Sequence, residues 1–381
     1  MERERDFPLF SHTAPLPRRA EPRRHLLLAA VAAAIAWLPV ALLAARAGRL
    51  DAFLSDPGPH GRLLISLPLL ILAPTLVNPR MAEVARHFLR ADLIAPDQRN
   101  RYSQQLDQLL RLRDSRLVQL LSLAVALAAA VIAAVSFERE LAGSAHLAWR
   151  LAPDGGPSPA AVWHAVVALP IYYYVVLTFA WRVMLWWSYL WRTSRLNLKL
   201  APGHPDLAAG LGFLAVGLRG LQPAVFALTV APAGALASVV LERRPPFQDP
   251  TFSVATAVVI ALALVVMAAF PLTFFSRRLL EARRDGQLAY SALSERQLRR
   301  FEAKWLDTPP HEMPDPLETP DFSAVIDLSS TVATAGRLRV TPFSRTDLLR
   351  LAAAAIVPFA PVALIEVPAT EILKEAVKLL L

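Results

Sequence analysis

The chain has 381 residues, of which 55% are hydrophobic and only 19% are charged, and its mean hydropathy is +0.40. Soluble domains carry about 25% charged residues, so this composition excludes an ordinary soluble globular protein. The formal net charge is +9, and the absence of cysteine excludes disulfides, thiolate metal sites and a cysteine nucleophile.

Seven apolar segments are long enough to cross a bilayer, because about 20 helical residues span a hydrocarbon core of about 30 Å. We therefore predict an all-α fold, a polytopic transmembrane helix bundle with about seven spans and a cytoplasmic N-terminus. The predicted spans are approximately 25–46, 62–78, 117–137, 162–190, 208–240, 252–275 and 348–366.

Three of these segments leave alternatives open. The first has a basic flank, but its apolar run is longer than that of a cleaved signal peptide, and we predict a retained helix. The second is short and contains Pro68 and Pro74, so it either spans or forms a re-entrant segment. The fifth is long enough to be tilted or to begin as an interfacial helix.

The distribution of basic residues decides whether the second segment spans. With a cytoplasmic N-terminus and seven spans, the cytoplasmic segments contain 28 Lys and Arg and the opposite side contains 9. This bias is what the positive-inside rule requires, and a re-entrant second segment would largely remove it. We therefore predict that the segment spans. Because topology explains the positive charge, we expect no nucleic-acid partner.

The predicted organisation is a basic cytoplasmic tail, residues 1–24, followed by a single transmembrane helical domain, residues 25–381. That domain includes two cytoplasmic helical segments, 79–116 and 276–346. Asn78-Pro79 is predicted to begin a new helix, and the sequence after Pro96 is predicted to continue into the third span as one helix.

The longer cytoplasmic segment contains the basic stretch YSALSERQLRRFEAKWL, which is predicted to be helical. This helix either packs on the cytoplasmic ends of the spans or lies in the headgroup layer. The proline-rich, acidic stretch LDTPPHEMPDPLETP that follows is predicted to be an irregular linker.

Two arginines fall inside predicted spans, where a charge costs at least about 2.5–3.5 kcal/mol on insertion scales. Arg182, in YYYVVLTFAWRVMLWWSYLW, either reaches the cytoplasmic headgroups or lines an internal aqueous cavity. Arg219 is near the surface if residues 208–217 lie in the interface. If those residues cross the membrane, Arg219 is buried and needs a carboxylate, a carbonyl or an anion.

The segment APGHPDLAAGLGFL, residues 201–214, interrupts the helices through its two prolines and Gly203. Asp206 is well placed to accept free N–H groups at the start of the next helix. The alternative is that His204 and Asp206 bind a metal or move a proton at the cytoplasmic side. A His-x-Asp pair is a weak metal signal, since catalytic zinc usually has three protein ligands, and we predict a cap.

Motifs of catalysis are missing from the sequence. It contains no Walker A loop, no HExxH, no GxSxG and no EF-hand loop. The sequence therefore supports no enzyme class, and we expect no catalytic residues, no cofactor and no metal site.

Three pieces of the chain resemble one family. They are GHPDLAAGLGFL, the segment RR…LAYSALSERQLRRFEAKWL after the sixth span, and PDFSAVIDLSSTVATAGRLRVTPF before the last span. In this order they resemble a family of uncharacterised bacterial multi-pass membrane proteins with an HPD…GLGFL segment. The first is similar to HPD-G-x-GGLGFL and the third to DIQSLADL-x-NS, but this chain has Leu207-Ala208-Ala209 where that family has glycines. The resemblance, from about residue 60 onward, implies the fold and a location in the bacterial cytoplasmic (inner) membrane, and no activity.

The three pieces all lie on the predicted cytoplasmic side, so we predict that they assemble into one surface, with carboxylates from Asp321 and Asp327. The leading hypothesis is a channel or transporter that moves or gates a small solute or ion as a homo-oligomer. The alternative is a non-enzymatic assembly or sensing component whose surface binds a cytoplasmic protein. A membrane-embedded enzyme that acts on lipid through His204 and Asp206 is the third hypothesis.

Overall fold

The computed structural model describes residues 21–138, 147–242, 249–309, 311–313, 315 and 319–366. The fold is 81% helical, and the described part of the chain contains no β-strand. Six helices are long and apolar enough to cross a membrane, and a bent helix pair gives a seventh. The predicted all-α polytopic bundle is therefore confirmed. Residues 1–20 of the predicted basic tail and residues 310, 314 and 316–318 of the predicted linker lie outside the described residues.

Long helices joined by short connections build the bundle. In chain order they are α1 (Glu21–Arg46), α2 (Pro57–Arg90), α3 (Arg99–Arg113), α4 (Arg116–Glu138), α5 (Pro159–Ser194), α6 (Leu214–Leu241), α7 (Pro250–Trp305), α8 (Asp321–Gly336) and α9 (Arg345–Ile365). Two of these helices contain a π-helical turn, α2 at Gly61–Ser66 and α5 at His164–Ala168. Two others contain a 3-10 turn, α7 at Phe270–Phe275 and α9 at Val357–Phe359.

Helix α6 forms the centre of the bundle. In the most apolar 18-residue stretch of α6, 61% is buried inside the protein, compared with 22–39% in the corresponding stretches of the other spans. Helix α6 packs against α2, α7 and α9. Small residues allow this approach: a Cβ at Gly234 would lie 2.9 Å from the Pro57 carbonyl oxygen, and a Cβ at Gly217 would lie 3.1 Å from the Trp186 ring. The outward faces of the surrounding helices carry exposed aliphatic side chains, as contact with lipid requires.

The connections gather at two ends of the bundle. At the Asp56 end, which comprises residues 47–56 and 147–158, Asp56 accepts hydrogen bonds from Gly58 in the first turn of α2, from Arg150 of the other connection and from Ser238 of α6. At the Asp206 end, which comprises residues 91–98, 195–213 and 337–344, Ile94 pairs with Leu198 in an isolated β-bridge. Helix α2 runs from one end to the other, so the second apolar segment spans, as the charge distribution predicted.

Two predicted helix boundaries were wrong. Helix α2 continues through Asn78-Pro79 to Arg90, because burial of Met81, Val84 and Phe88 in the core outweighs the one hydrogen bond that Pro79 removes. The helix after Pro96 does not continue into the third span either. It breaks between α3 and α4 with a bend of 43°.

The break between α3 and α4 has a physical reason. It turns α3 toward α2 and α5, where the Tyr102 hydroxyl donates to the Ala85 carbonyl at 2.9 Å and lies 2.8 Å from the Tyr189 hydroxyl. The residues at the break, Asp114 and Ser115, are short and polar, and such side chains compete for backbone hydrogen bonds and weaken a helix.

The fifth and sixth spans also differ from their predicted outlines. Helix α6 begins at Leu214 rather than at residue 208, since residues 201–213 form consecutive turns. The sixth span and the basic helix belong to one helix, α7, which passes through the 3-10 turn at Phe270–Phe275. The basic helix packs against residues 201–213 at Tyr290, whose hydroxyl would lie 3.3 Å from a Cβ at Gly203, and against α8 at Phe301, whose ring centroid lies 4.9 Å from that of Phe322.

Candidate functional site at the Asp206 end of the bundle

The connection between α5 and α6, residues 195–213, folds around the carboxylate of Asp206 and is called the Asp206 loop below. The Asp206 oxygen Oδ1 accepts the backbone N–H groups of Ala208 at 2.8 Å and Gly210 at 3.1 Å, and Oδ2 accepts that of Gly212 at 2.8 Å. Asp206 accepts free N–H groups, but the prediction that it caps the helix was wrong, because these groups precede the helix. The N-cap residue of α6, Phe213, has no side-chain cap.

Positive φ angles turn the N–H groups of this loop inward. Leu207 has φ = 55°, Ala209 has φ = 54° and Gly210 has φ = 90°. A residue with a Cβ in this region costs about 1–2 kcal/mol relative to ordinary backbone. Two of these positions belong to the Leu207-Ala208-Ala209 triplet where the resembling family has glycines. The departure from that pattern therefore places side chains where the backbone favours glycine.

The ionised form of Asp206 fits this loop. Burial acts to raise the pKa of the carboxyl, but the three backbone donors and His204 outweigh burial and hold the pKa below its usual value. His204 Nδ1 lies 2.9 Å from Asp206 Oδ1, and the imidazole is half exposed. With both oxygens occupied by N–H donors, the carboxylate has little capacity left for a metal or for proton transfer.

The structure brings the three resembling pieces together. A Cβ at Gly203 would lie 2.7 Å from Thr331 of α8 and 3.3 Å from the Tyr290 hydroxyl of α7. The Arg339 Nη2 donates to the Asp206 carbonyl at 2.7 Å, and the Arg339 backbone N–H donates to the Leu207 carbonyl at 2.8 Å. The loop that contains Asp206 thus forms one surface with α7 and α8, as predicted.

The two predicted carboxylates of this surface have different positions. Asp321 begins α8 at the far end of the α7–α8 pair, where it forms an ion pair with Lys304 and accepts from Trp305 Nε1 at 3.3 Å. The hydrogen bond from Lys304 holds the pKa of Asp321 below its usual value. Asp327 is an exposed residue in the middle of α8, one helical turn before the Thr331 that touches the loop. Neither carboxylate meets Asp206.

Arg219 is both exposed and paired. Its side chain is 46% exposed, and its Nε lies 3.2 Å from Oδ1 of Asp347 in the first turn of α9. Asp347 also accepts from the backbone N–H and the hydroxyl of Ser344, which completes a capping box. Of the partners that the sequence left open, the structure thus supplies a carboxylate, near the beginning of α6.

Arg182 is buried close to the break between α3 and α4. The neighbouring Trp181 donates through Nε1 to the Leu112 carbonyl at 3.4 Å, and Arg113 and Asp114 act electrostatically on the Arg182 guanidinium. At this level the charged segment RLRDSR gives way to the apolar part of α4. The position favours the headgroup alternative over a cavity half-way through the membrane.

Sequence reasoning missed a buried carboxylate at the Asp56 end. Asp56 is fully buried and accepts four hydrogen bonds, from Gly58 N at 3.1 Å, Ser238 Oγ at 2.7 Å, Trp149 Nε1 at 3.1 Å and Arg150 Nη2 at 3.0 Å. Burial lowers the pKa of Arg150, and the charge of Asp56 opposes this effect. The D-P dipeptide at residues 56–57 signals only a helix start, so nothing local revealed the ion pair.

Two proline kinks explain further contacts between helices. A proline at position i leaves the carbonyl at i−4 without its helical donor, and in two cases a side chain of another helix supplies one. Trp163 Nε1 donates at 3.1 Å to the carbonyl of Ile35, four residues before Pro39. Arg80 Nη1 donates at 3.3 Å to the carbonyl of Arg219, four residues before Pro223. These two freed carbonyls therefore serve helix packing.

At the Asp206 end, the carboxylate holds the backbone of its own connection. Within the described residues, no group of three or more His, Asp and Glu could hold a metal ion. No protein-family model matches the sequence, and comparison with curated proteins and with solved structures gives no match. What the structure establishes is a multi-pass helical membrane protein, and the family resemblance stays a prediction.

Proposed function

We propose that the chain is a membrane assembly or sensing component that binds a protein partner through the α7–α8 hairpin, which consists of Ser276–Trp305 of α7 and of α8. The observation that carries this proposal is the length of α7. Its last 30 residues, Ser276–Trp305, follow the apolar part of the helix and are about 45 Å long at 1.5 Å per residue. They pack against α8 and against the Asp206 loop, so the projection is braced.

The surface of the hairpin suits a partner with an acidic face. Ser276–Trp305 contains eight basic and four acidic residues. Large apolar side chains are exposed on both helices of the hairpin, with Leu288 of α7 at 67% and Ile326 of α8 at 65% exposure. Exposed apolar groups beside an excess of basic residues on α7 are typical of a protein interface, where the charges steer the encounter and the apolar groups supply contact area.

We propose the bacterial inner membrane as the location, with the N-terminus and the hairpin in the cytoplasm. The 28 to 9 distribution of Lys and Arg supports this orientation, because the described connections among the segments counted as cytoplasmic lie at the Asp206 end. A homo-oligomer within the membrane is compatible with a hairpin that binds a different protein.

Photo-crosslinking tests the partner proposal. A photoreactive amino acid at position 288 or 326 should give a discrete adduct with another protein in intact cells. The matched control is position 262, an exposed leucine in the membrane part of the same helix, and it should not give that adduct. An adduct of twice the chain mass at the hairpin positions would identify a second copy and contradict the separate partner, as would no protein adduct at all.

Two alanine substitutions at glycines test whether partner binding requires the hairpin to pack against the Asp206 loop. Gly286→Ala would place a methyl group 2.3 Å from Pro202 and should displace the hairpin, whereas Gly336→Ala meets only Gln287 Nε2 at 3.6 Å. The partner adduct should weaken in the first variant and stay unchanged in the second. Equal adducts in both variants would show that the docked position of the hairpin is not required.

Passage of a small solute or ion is the second candidate, and polar contacts inside the bundle favour it. The Ser66 hydroxyl, at the end of the π turn of α2, donates to the Ala227 carbonyl at 2.6 Å and lies 3.3 Å from the Tyr172 hydroxyl. His164, in the π turn of α5, is buried, and its Nε2 has no hydrogen-bond partner among the described residues. Intramembrane polar groups and π turns frequently mark functional positions.

Flux measurements separate this candidate from the first. Proteoliposomes loaded with pH-, potassium- or chloride-sensitive dyes should respond faster than protein-free liposomes, and His164→Leu should reduce the response. His311→Leu, at an exposed position outside the spans, is the control. Flux equal to that of protein-free liposomes for all three ions would contradict passage of these ions and leave the partner proposal untouched.

A further inference from the structure

We propose that Arg80, Arg219 and Arg350 bind the phosphate group of an anionic phospholipid at the Asp206 end, between α2, α6 and α9. This arginine cluster is independent of the hairpin surface. The inference rests on how Arg80 is positioned, on the local balance of charge and on the level of the cluster in the bundle.

Arg80 is held across α6 by two features of that helix. A Cβ at Gly220 would lie 3.2 Å from Arg80 Cδ and 3.3 Å from Arg80 Cβ, so the glycine leaves room for the arginine stem. Pro223 frees the Arg219 carbonyl, and Arg80 Nη1 donates to it at 3.3 Å. A guanidinium has five N–H donors, and this bond is the one that Arg80 makes among the described residues. The exposed guanidinium is therefore oriented and retains donors for a ligand.

The cluster has more positive charge than its carboxylate can balance. Asp347 is the carboxylate that lies within ion-pair distance of the cluster in the described chain, and Arg219 Nε reaches it at 3.2 Å. Its other oxygen already accepts two hydrogen bonds from Ser344. Arg350 acts on Asp347 electrostatically without a bond. Three guanidinium groups thus share one carboxylate, and planar guanidinium donors match phosphate oxygens.

The level of the cluster identifies the source of the phosphate. Twenty residues, about 30 Å of helix, separate Arg80 from His60 at the Asp56 end, which equals the thickness of a hydrocarbon core. Arg219 and Asp347 lie near the first turns of α6 and α9. The cluster therefore lies at the depth where the apolar parts of α2, α6 and α9 begin. Phospholipid headgroups lie at this depth, and an exposed cluster there meets lipid phosphate first.

Native mass spectrometry of the full chain in mild detergent tests the proposal. Phosphatidylglycerol and phosphatidylcholine with identical acyl chains are titrated separately, and we expect preferential retention of phosphatidylglycerol. Arg350→Gln should weaken that binding about fivefold, the factor that about 1 kcal/mol per basic residue gives. Arg350 makes no ion pair at bonding distance among the described residues, so this variant should fold. Arg80→Gln should weaken binding by a similar factor.

Two controls make the result decisive. Arg277→Gln removes an arginine that is 90% exposed and pairs with Glu281 on α7, and it should leave phosphatidylglycerol binding unchanged. Equal weakening in Arg277→Gln, or equal retention of the two lipids, would overturn the site and indicate general charge attraction. Inorganic phosphate is the second control: if it binds the wild type but not Arg350→Gln while no lipid preference appears, the cluster is a free-phosphate site and the lipid assignment is wrong.

Discussion

The two ends of the bundle each contain a carboxylate that is held by several hydrogen-bond donors, but the donors come from different parts of the chain. Asp206 takes its three backbone donors from residues two, four and six positions along its own loop. Asp56 takes side-chain donors from residues 93, 94 and 182 positions away. The first carboxylate shapes a local loop, and the second joins three separate parts of the chain. Local shaping costs little entropy, whereas joining distant segments makes each segment depend on the others.

The largest effect is expected at the Asp56 end. Arg150→Ala leaves a fully buried carboxylate without its cation, and breaking a buried ion pair in this way costs about 3–5 kcal/mol. We expect a correspondingly large fall in the melting temperature of the protein in detergent. The double variant Asp56→Asn/Arg150→Gln removes both charges and should recover part of the loss. An additive loss would contradict coupling between the two residues.

Asp206→Ala should destabilise the protein less, by about 2–3 kcal/mol, because three half-buried N–H groups lose a charged acceptor but remain close to water. His204→Ala is the control in the same loop. Its side chain is half exposed, so the change should be small. If the two substitutions had equal effects in thermal unfolding, the loop would not depend on the carboxylate.

Low pH should remove the stabilisation that the ionised carboxylate of Asp206 gives to the loop. The folded-state pKa of Asp206 lies below the reference value of 3.8, so its contribution to stability is fully present above that value. The contribution is lost as the pH falls through the lower, folded-state pKa. The difference in melting temperature between the wild type and Asp206→Asn should therefore stay constant from about pH 7 to pH 5 and shrink below about pH 4. A constant difference down to pH 3 would contradict this origin.

The smallest effect concerns the strain of the loop. Ala209→Gly relieves a positive φ worth about 1–2 kcal/mol and removes one buried methyl group worth about 0.8 kcal/mol, so we expect a gain of about 0.5 kcal/mol. Ala208→Gly is the matched control, since Ala208 is equally buried but has no positive φ. It should destabilise by about 1 kcal/mol, and the opposite order in chemical unfolding would contradict the strain argument.

The same contrast explains how much could be predicted from the sequence. The spans follow from long apolar blocks, and the acceptor role of Asp206 follows from its neighbours, because both depend on residues close in the chain. The loop geometry did not follow, since nothing in the sequence shows that Ala209 adopts a positive φ. The Asp56–Arg150 and Arg219–Asp347 pairs depend on how distant helices pack, and a single sequence does not encode those distances in any local pattern.

Tertiary packing also decided the helix boundaries that were wrong. Pro79 is a local break signal, but the buried face of α2 continues beyond it. Asp114 and Ser115 are weak break signals, but the contact between Tyr102 and Tyr189 requires a bend there. In both cases buried contacts outweighed propensity, which is a weak guide when a helix has a strong packing face.

Helix α7 continues from the membrane part into the hairpin through the 3-10 turn at Phe270–Phe275, and contacts with α8 and residues 201–213 hold the hairpin on the bundle. A change of about 10° in the tilt of the whole bundle would therefore displace a point 45 Å along the helix from Ser276 by about 8 Å. Helices change tilt when the thickness of the surrounding bilayer changes. We therefore expect the position of Trp305 relative to the membrane surface to vary with bilayer thickness, which distance measurements between spin labels in bilayers of graded chain length would detect.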